Sequence, residues 1–217
     1  MFWEWYETEA APKLGLREVS FRKIFKYLDS LDESKPLIIV ETGCVRAANN
    51  WGGDGQSTIL FDRYLQYRTG DGSCFAVDID PEATALCRTV VSEKTEVLTG
   101  DSVLVLRDIS SILKKHDASI SLLYLDSFDL DWKNPTPSAV HHLKELVSIY
   151  DRVSPQTLVV VDDSPMTIFC TSSTADSLHP IRNPVVGGKG QYVAEYASQL
   201  GATFLFSHYQ AAWYGFN

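Results

Sequence analysis

The stretch Thr157-Leu-Val-Val-Val-Asp162-Asp163 decides the fold of this chain, and Ser121-Leu-Leu-Tyr-Leu-Asp126 repeats its pattern. Each is a short apolar run, rich in Leu and Val, with carboxylates only at its carboxyl end. This is the pattern of a strand that is buried on both faces of a parallel sheet. Open α/β sheets bind their ligands at the carboxyl ends of the strands. The two runs therefore predict a parallel sheet with Asp126, Asp162 and Asp163 at its ligand-binding edge.

If the two strands are neighbours, the three aspartates lie close together. Clustered carboxylates repel one another unless a cation or a proton neutralises them. A hard divalent ion with oxygen ligands, such as Mg²⁺, is the simplest solution. Asp126, Asp162 and Asp163 are therefore predicted metal ligands. The alternative is that Asp162 and Asp163 only cap the loop that follows a strand.

Composition narrows the class of protein. The 217 residues are enough for one domain with a sizeable core. A formal charge of -9 argues against a broad surface for nucleic acid or anionic membrane. Four cysteines without a Cys-x-x-Cys pair favour reduced thiols over disulfides or a zinc site. The acidic start is not typical of a signal peptide, and no apolar run approaches the roughly 20 residues of a membrane span. We therefore expect a soluble, cytoplasmic protein.

The rest of the chain alternates strand-like and helix-like patterns. Three further strands are predicted at Pro36-Leu-Ile-Ile-Val40, Cys74-Phe-Ala-Val-Asp78 and Glu96-Val-Leu98. Amphipathic helices are predicted at 16–31, 55–65, 102–113, 138–153 and 191–200. Such alternation implies right-handed βαβ units and a parallel sheet that is covered on both faces.

The last segment, 202–214, has the pattern of two strands joined by a tight turn, the only clear hairpin of the sequence. The predicted fold is therefore an α/β, Rossmann-like three-layer sandwich. Its seven-stranded sheet is mostly parallel, with an antiparallel C-terminal hairpin strand. We expect one domain, with 1–35 as an N-terminal helical cover and 36–217 as the Rossmann-like core.

A glycine turn, Glu41-Thr-Gly43, follows the first strand. Glycine allows the backbone to approach a ligand closely, and the helix that begins near Gly55 points free N–H groups into the same crevice. Neither a Gly-x-Gly-x-x-Gly fingerprint nor a phosphate-binding loop is present, which argues against a nicotinamide dehydrogenase. The alternative is a plain tight turn.

Two more aspartates follow strands of the predicted sheet. Asp78 is placed to accept hydrogen bonds from a ribose diol, although it could instead cap the next helix. Asp80 is the better candidate for that cap. Asp101, within Thr99-Gly-Asp-Ser102, could accept an amino proton from an adenine or could cap the helix that follows it.

Taken in this order, the motifs resemble those of class I S-adenosylmethionine-dependent methyltransferases. They are most similar to the metal-dependent sugar O-methyltransferases of the macrocin and novobiocin type. The resemblance spans roughly 36–163. The motifs that carry it are Val40-Glu-Thr-Gly43, Asp78, Gly100-Asp101, Leu125-Asp126 and Val160-Val-Asp-Asp163. The related catechol and caffeoyl-coenzyme A enzymes have Asp-Asn where this chain has Asp162-Asp163, which favours the sugar type.

The resemblance implies a site with two parts. S-adenosylmethionine would be bound by Glu41, Thr42, Gly43, Asp78, Asp101, Ser102 and Asp126. A Mg²⁺-like ion on Asp126, Asp162 and Asp163 would grip vicinal hydroxyls of a small-molecule acceptor, a sugar or polyol. Such an ion lowers the pKa of the acceptor hydroxyl and orients it toward the methyl group. No nucleic acid or membrane partner is expected, and the aromatic N-terminus makes a homodimer plausible.

A base must also take the acceptor's proton. The segment Ser127-Phe-Asp-Leu-Asp-Trp-Lys133 offers Asp129, Asp131 and Lys133, with Asp129 preferred. For each of them a solvated loop charge is the alternative. His141 and His142 lie in a predicted helix, where one is expected to pack and the other to be solvated. Two other functions stay open: a methyltransferase that uses no metal, and a non-catalytic nucleotide-binding module of the same fold.

Overall fold

The two apolar runs are neighbouring strands at the centre of a seven-stranded sheet. The computed structural model describes residues 1–54, 56–167, 170–174, 177–180 and 185–217, with side chains except at 54, 170–174 and 177–180. The strands are β1 (Leu37–Thr42), β2 (Gly72–Asp78), β3 (Thr95–Thr99), β4 (Leu122–Leu125), β5 (Leu158–Val161), β6 (Met166–Thr167), β7 (Cys170–Thr174), β8 (Ser177–Pro180), β9 (Val185–Val186), β10 (Thr203–Ser207) and β11 (Ala211–Tyr214).

The order of strands across the sheet is β10-β11-β5-β4-β1-β2-β3. Strands β1 to β5 are parallel, β11 is antiparallel to β5, and β10 is antiparallel to β11. The chain moves outward in one direction from β1 to β3 and then crosses to the other side of β1 at β4. The strand order reverses between β1 and β4, and folds of this kind bind ligands in a crevice at such a reversal, at the carboxyl ends of the strands. The predicted fold class is confirmed.

Helices cover both faces of the sheet. They are α1 (Phe2–Trp5), α2 (Glu18–Asp29), α3 (Trp51–Asp54), α4 (Ser57–Tyr67), α5 (Pro81–Val90), α6 (Ser102–Lys115), α7 (Thr136–Ser148) and α8 (Gln191–Gln199). Ile39 packs with α1, α2 and α4 on one face, while its neighbour Val40 packs with α6, α7 and α8 on the other. Successive side chains of a strand point to opposite faces, so the continuous apolar run of β1 fills both layers.

Two sequence predictions differ from the structure. The helix predicted at 138–153 ends at Ser148 and continues as a 3₁₀ turn, Tyr150–Arg152. The C-terminal pair is not the only hairpin, because β7 pairs antiparallel with β8, and β6 pairs with β9. β7 consists mostly of Thr and Ser, and β6 and β9 have only two residues each, so none of these strands has an apolar alternation to detect.

The helix start predicted near Gly55 lies outside the described residues, and α4 begins at Ser57. In the part of the chain that the structure describes, every helix is too short or too polar to cross a bilayer.

Candidate functional site

Gly43 lies where the ends of β1, β2 and β4 meet. Its φ of 80° is in the region that favours glycine, and a Cβ atom there would be 2.6 Å from the carbonyl oxygen of Asp126. Its N–H donates to the carbonyl of Val77 at 2.7 Å. The close approach that requires glycine is therefore to the backbone directly after β4, at Asp126.

The carboxylate of Asp78 joins the ends of β2 and β1. Its Oδ2 accepts a hydrogen bond from the backbone N–H of Cys44 at 3.2 Å, and its Oδ1 accepts from Asp80 N–H at 2.9 Å. Asp80, as predicted, caps α5 by accepting from Glu82 N–H at 2.8 Å. Since each carboxylate oxygen can accept more than one hydrogen bond, Asp78 keeps capacity for a ligand hydroxyl.

Asp101 and Ser102 begin α6. The Oδ1 atom of Asp101 accepts from Leu104 N–H at 3.2 Å, so the capping interpretation of this residue is confirmed. Ser102 is buried, and its Oγ lies 3.0 Å from Nε2 of His141. The two residues therefore hold the start of α6 at the edge of the crevice.

Glu41 and Thr42 lie beneath the crevice, since neither has any exposed surface. Burial raises the pKa of Glu41 well above its usual value, and the hydroxyls of Ser57 and Thr58 oppose this shift only in part. The side chains of these two predicted donor ligands are therefore packed inside the fold and are not exposed to a ligand.

A buried carboxylate that sequence reasoning missed ties the two sides of the crevice together. Glu145 of α7 has no exposed surface. Its Oε2 accepts from the Thr42 hydroxyl at 3.2 Å, and its Oε1 accepts from the Ser127 hydroxyl at 2.5 Å. Burial alone would raise the pKa of Glu145. The hydrogen bond with His141 and the electrostatic interaction with His142 act in the opposite direction, and the pKa of Glu145 is lowered overall. An ionised side chain under the sheet edge thus links the end of β1 to the loop after β4.

Of the histidine pair beside Glu145, one packs as predicted, while the other is only partly exposed and contacts Ser102 and Glu145. His142 has no exposed surface, and its Nδ1 lies 2.7 Å from the carbonyl oxygen of Ser138, to which it donates. Burial lowers the pKa of His142 to about 4, so the ring is neutral. The side chain of His141 is 23% exposed, and its Nε2 lies 3.4 Å from Oε1 of Glu145. Hydrogen bonding to Glu145 raises the pKa of His141.

The three aspartates that follow β4 and β5, hereafter the carboxylate cluster (Asp126, Asp162 and Asp163), come together around two side-chain cations. Nε of Arg17 lies 3.1 Å from Oδ2 of Asp162, and its Nη2 lies 3.8 Å from Oδ1 of Asp163. Nζ of Lys189 contacts Oδ1 of Asp126 and lies 3.1 Å from Oδ2 of Asp163. Sequence reasoning missed both cations.

Arg17 and Lys189 are both charged. Burial disfavours the charge of Lys189, but Asp126, Asp163 and Asp162 outweigh burial and raise its pKa. Burial likewise opposes the charge of Arg17, but Asp162, Tyr124, Tyr209 and Asp126 together outweigh burial and raise its pKa. The pKa of Asp163 is lowered because Lys189 and other partners overcome its desolvation. Burial and the neighbouring Asp162 and Asp163 raise the pKa of Asp126 well above its usual value, although Lys189 opposes this shift. The two cations therefore face a cluster that favours a proton on Asp126, and no surplus of negative charge is needed.

These residues do not fit a divalent ion. The ammonium of Lys189 lies between Asp126 and Asp163, where a bridging metal would bind. The guanidinium of Arg17 forms an ion pair with Asp162. Among the described residues no group of three or more Asp, Glu, His or Cys side chains is arranged to hold a metal. The structure therefore does not support the predicted Mg²⁺ site, although it places the three predicted ligands together.

A glycine-rich turn positions Lys189 beside the carboxylate cluster. Gly188 has a φ of 58°, and a Cβ atom there would be 2.0 Å from the carbonyl oxygen of Asp163. A Cβ atom at Gly190 would be 2.6 Å from Oγ of Ser164. The turn can press against the end of β5 only because these residues lack side chains. The run of glycines at 187, 188 and 190 was the available sequence signal.

The three predicted bases lie on the exposed loop between β4 and α7. Both oxygens of Asp129 accept hydrogen bonds from Nη1 of Arg46, at 3.1 and 3.2 Å, which joins this loop to the one after β1. Asp131 accepts from Lys133 N–H at 2.8 Å within its own turn, and Lys133 is exposed. Asp129 is therefore the candidate that spans the crevice.

An open groove of about 950 Å³ begins beside this turn, at Gly187 and Gly188. Its wall is largely apolar, and includes Trp132, Met166, Val185, Phe204 and Trp213. The groove lies on the side of the carboxylate cluster, away from Asp78 and Asp101.

Comparison with known proteins gives only weak similarities. No protein-family model matches the chain, and no curated protein is significantly similar in sequence. A structure of LepI in complex with SAM aligns at 11% identity with a TM-score of 0.49, over 89% of this chain and 46% of that one. The chain thus spans about half the length of LepI. DhpI in complex with SAH aligns at 11% identity with a TM-score of 0.45, over 98% of this chain and 90% of that one. The strand order of the chain itself, not these similarities, makes the fold Rossmann-like.

Proposed function

We propose that this chain is an S-adenosylmethionine-dependent methyltransferase that acts on a small molecule. The observation that carries the proposal is the position of Asp78. Its carboxylate ends β2, contacts the backbone just after Gly43 and lies beside the reversal of strand order between β1 and β4. An acidic residue at this place in a Rossmann-like sheet is suited to a ribose diol.

The charge of the crevice favours this donor over a dinucleotide. S-adenosylmethionine carries a sulfonium and an ammonium group, whereas dinucleotides carry phosphates. The carboxylates of Asp78 and Asp101 attract a cation and repel a phosphate. Ile79 and Phe128, which are 71% and 45% exposed beside the ends of β2 and β4, offer apolar surface for an adenine ring.

Of the functions left open by the sequence, methyl transfer without a metal agrees best with the described residues. Arg17 and Lys189 already neutralise much of the carboxylate cluster. In the proposed reaction an acceptor hydroxyl bonds to the methyl carbon as the sulfonium bond breaks, which leaves S-adenosylhomocysteine. The hydroxyl proton passes to a base, for which Asp129 is the proposed residue. The apolar groove suits an acceptor that combines a hydroxyl with an apolar body.

Binding of S-adenosylhomocysteine, measured by calorimetry, tests the proposal. We expect Asp78→Ala to weaken binding by about tenfold or more, because a hydrogen bond to a charged group contributes roughly 1.5–3 kcal/mol. Asp80→Ala is the matched control, since this neighbouring carboxylate only caps α5. It should bind as the wild type does. Equal losses in the two variants, or no binding by the wild type, would contradict the proposal.

A further inference from the structure

We propose that the ammonium of Lys189 is the resident cation of the carboxylate cluster and substitutes there for a divalent ion. The inference deepens the proposed function at the same site. This inference is tested by metal binding rather than by methyl transfer, so either proposal can fail without the other.

The charge at the site supports the substitution. Lys189 and Arg17 together carry two positive charges, which is the charge of one Mg²⁺. Their contacts divide the three carboxylates between them, with Asp163 shared by both cations. The side chains of Lys189 and Asp162 are 2% and 1% exposed, so water compensates these charges poorly and the partners must do so.

The position of the ammonium supports it as well. Asp126 follows β4 and Asp163 follows β5, and Nζ of Lys189 contacts an oxygen of each. The ammonium thus bridges two strand ends, as a metal with carboxylate ligands would. An ammonium offers three donors in place of open coordination positions. It can neutralise carboxylates but cannot bind two hydroxyls of an acceptor as a metal does.

The backbone around Lys189 is built for this placement. Its own N–H donates to the carbonyl oxygen of Asp163 at 3.1 Å, so both its main chain and its side chain bind the same residue. The close approach of Gly188 to that carbonyl leaves no room for a side chain. The lysine is therefore fixed at both ends. An exposed lysine that met the cluster by chance would lack these backbone contacts.

The test is Mn²⁺ binding, followed by the loss of the free-ion signal in electron paramagnetic resonance. Wild-type protein should show no binding that depends on the cluster. Lys189→Ala removes the ammonium and opens space among three carboxylates. It should bind one Mn²⁺ at least about tenfold more tightly than the wild type, a change typical of gaining or losing one element of a metal site.

Two control variants distinguish the effect of the space that the lysine side chain leaves from the effect of losing its charge. Lys189→Met removes the charge but fills the space, so it should gain no Mn²⁺ binding. The double variant Lys189→Ala with Asp126→Asn has the space but lacks one ligand, and should lose most of the gain. Tight binding by the wild type that Asp126→Asn abolishes would overturn the inference, and so would a folded Lys189→Ala protein with no gain.

If Lys189→Ala does not fold, thermal midpoints decide instead. Lys189→Met leaves the carboxyl groups of Asp126 and Asp163 without the ammonium that contacts both of them, and adding Asp126→Asn removes one of these two acidic groups and their mutual repulsion. The double variant should melt several degrees above Lys189→Met alone, whereas an equal or lower midpoint would overturn the inference. Titration of the wild type with S-adenosylhomocysteine reports on the donor site separately. Failure there would remove the proposed function and leave the metal result standing.

Discussion

The two sides of the crevice treat their carboxylates differently. On the side proposed to bind the methyl donor, hereafter the donor side, at the ends of β1 to β3, Asp78 and Asp101 accept hydrogen bonds from backbone N–H groups of nearby loops and helices. On the side proposed to bind the acceptor, hereafter the acceptor side, at the ends of β4 and β5, the carboxylate cluster is bound by Arg17 and Lys189 from distant parts of the chain. Backbone donors leave a carboxylate charged and open to a ligand, whereas ion pairs use up both its charge and its oxygens.

The acceptor side also depends on the N-terminal segment. Arg17 precedes α2 directly, and its guanidinium lies over the ring of Tyr209 at 4.4 Å, in the turn between β10 and β11. One side chain thus connects the N-terminal cover, the end of β5 and the C-terminal hairpin. The N-terminal segment therefore contacts the carboxylate cluster directly and is not only a layer over the sheet.

The largest effect should follow from removing the acceptor side's arginine. Arg17→Met keeps the aliphatic length but leaves the carboxylate of Asp162, which is 1% exposed, without its cation. Breaking a buried pair in this way costs about 3–5 kcal/mol. We expect that loss in the free energy of unfolding by urea.

The matched control is Lys13→Met, which breaks the exposed pair with Glu9 at 3.6 Å. Exposed pairs contribute only about 0–1 kcal/mol. If the two variants lost the same stability, the acceptor side would owe nothing to buried ion pairing, and the contrast between the two sides would fail.

The two sides also differ in how far the sequence predicted them. The apolar runs before Asp126 and Asp162 specify strands, and parallel strands bring their carboxyl ends to one edge, so the convergence of the aspartates was predictable. The cap of α5 was predictable too, because Pro81 marks the start of α5 and so identifies Asp80 as its cap.

The partners of the carboxylate cluster were not predictable in the same way. Arg17 and Asp162 are 145 residues apart, and no local periodicity encodes such a contact. Glu145 lies in an ordinary amphipathic helix, where a glutamate is usually solvated, and only the packing of α7 on the sheet buries it. A metal was the simplest neutralising cation for the sequence, while the fold supplied cations of its own.

His142 and Glu145 lie where the two sides of the crevice meet, and His142 should make the stability of the fold depend on pH. His142 lies beside Glu145, beneath the ends of β1 and β4, and burial lowers its pKa from 6.5 to about 4. Between these values the unfolded chain binds a proton on His142 and the folded chain does not. Stability must therefore fall as the pH falls, by about 1.4 kcal/mol per pH unit.

His142→Gln removes the contribution of His142 to the pH dependence of stability. Between about pH 7.5 and about pH 5, the wild type should lose about 2 kcal/mol more stability than the variant in urea unfolding. His141, whose pKa is raised, stabilises the fold on acidification, but it is present in both proteins and cancels from the comparison. If the wild type and the variant lost the same amount of stability, protonation of His142 would not contribute to the pH dependence.

The smallest effect tests whether a donor-side carboxylate can both support the fold and bind a ligand. Asp101→Ala should cost about 1 kcal/mol of stability, because it removes the cap of α6. Asp101→Ser replaces that cap and should restore stability, but its hydroxyl is too short and uncharged to replace the carboxylate toward an adenine amino group. We therefore expect Asp101→Ser to unfold like the wild type and to bind S-adenosylhomocysteine several-fold more weakly. Wild-type binding by this variant would mean that Asp101 only caps its helix, and one of the two carboxylates proposed to face the donor would be removed from the site.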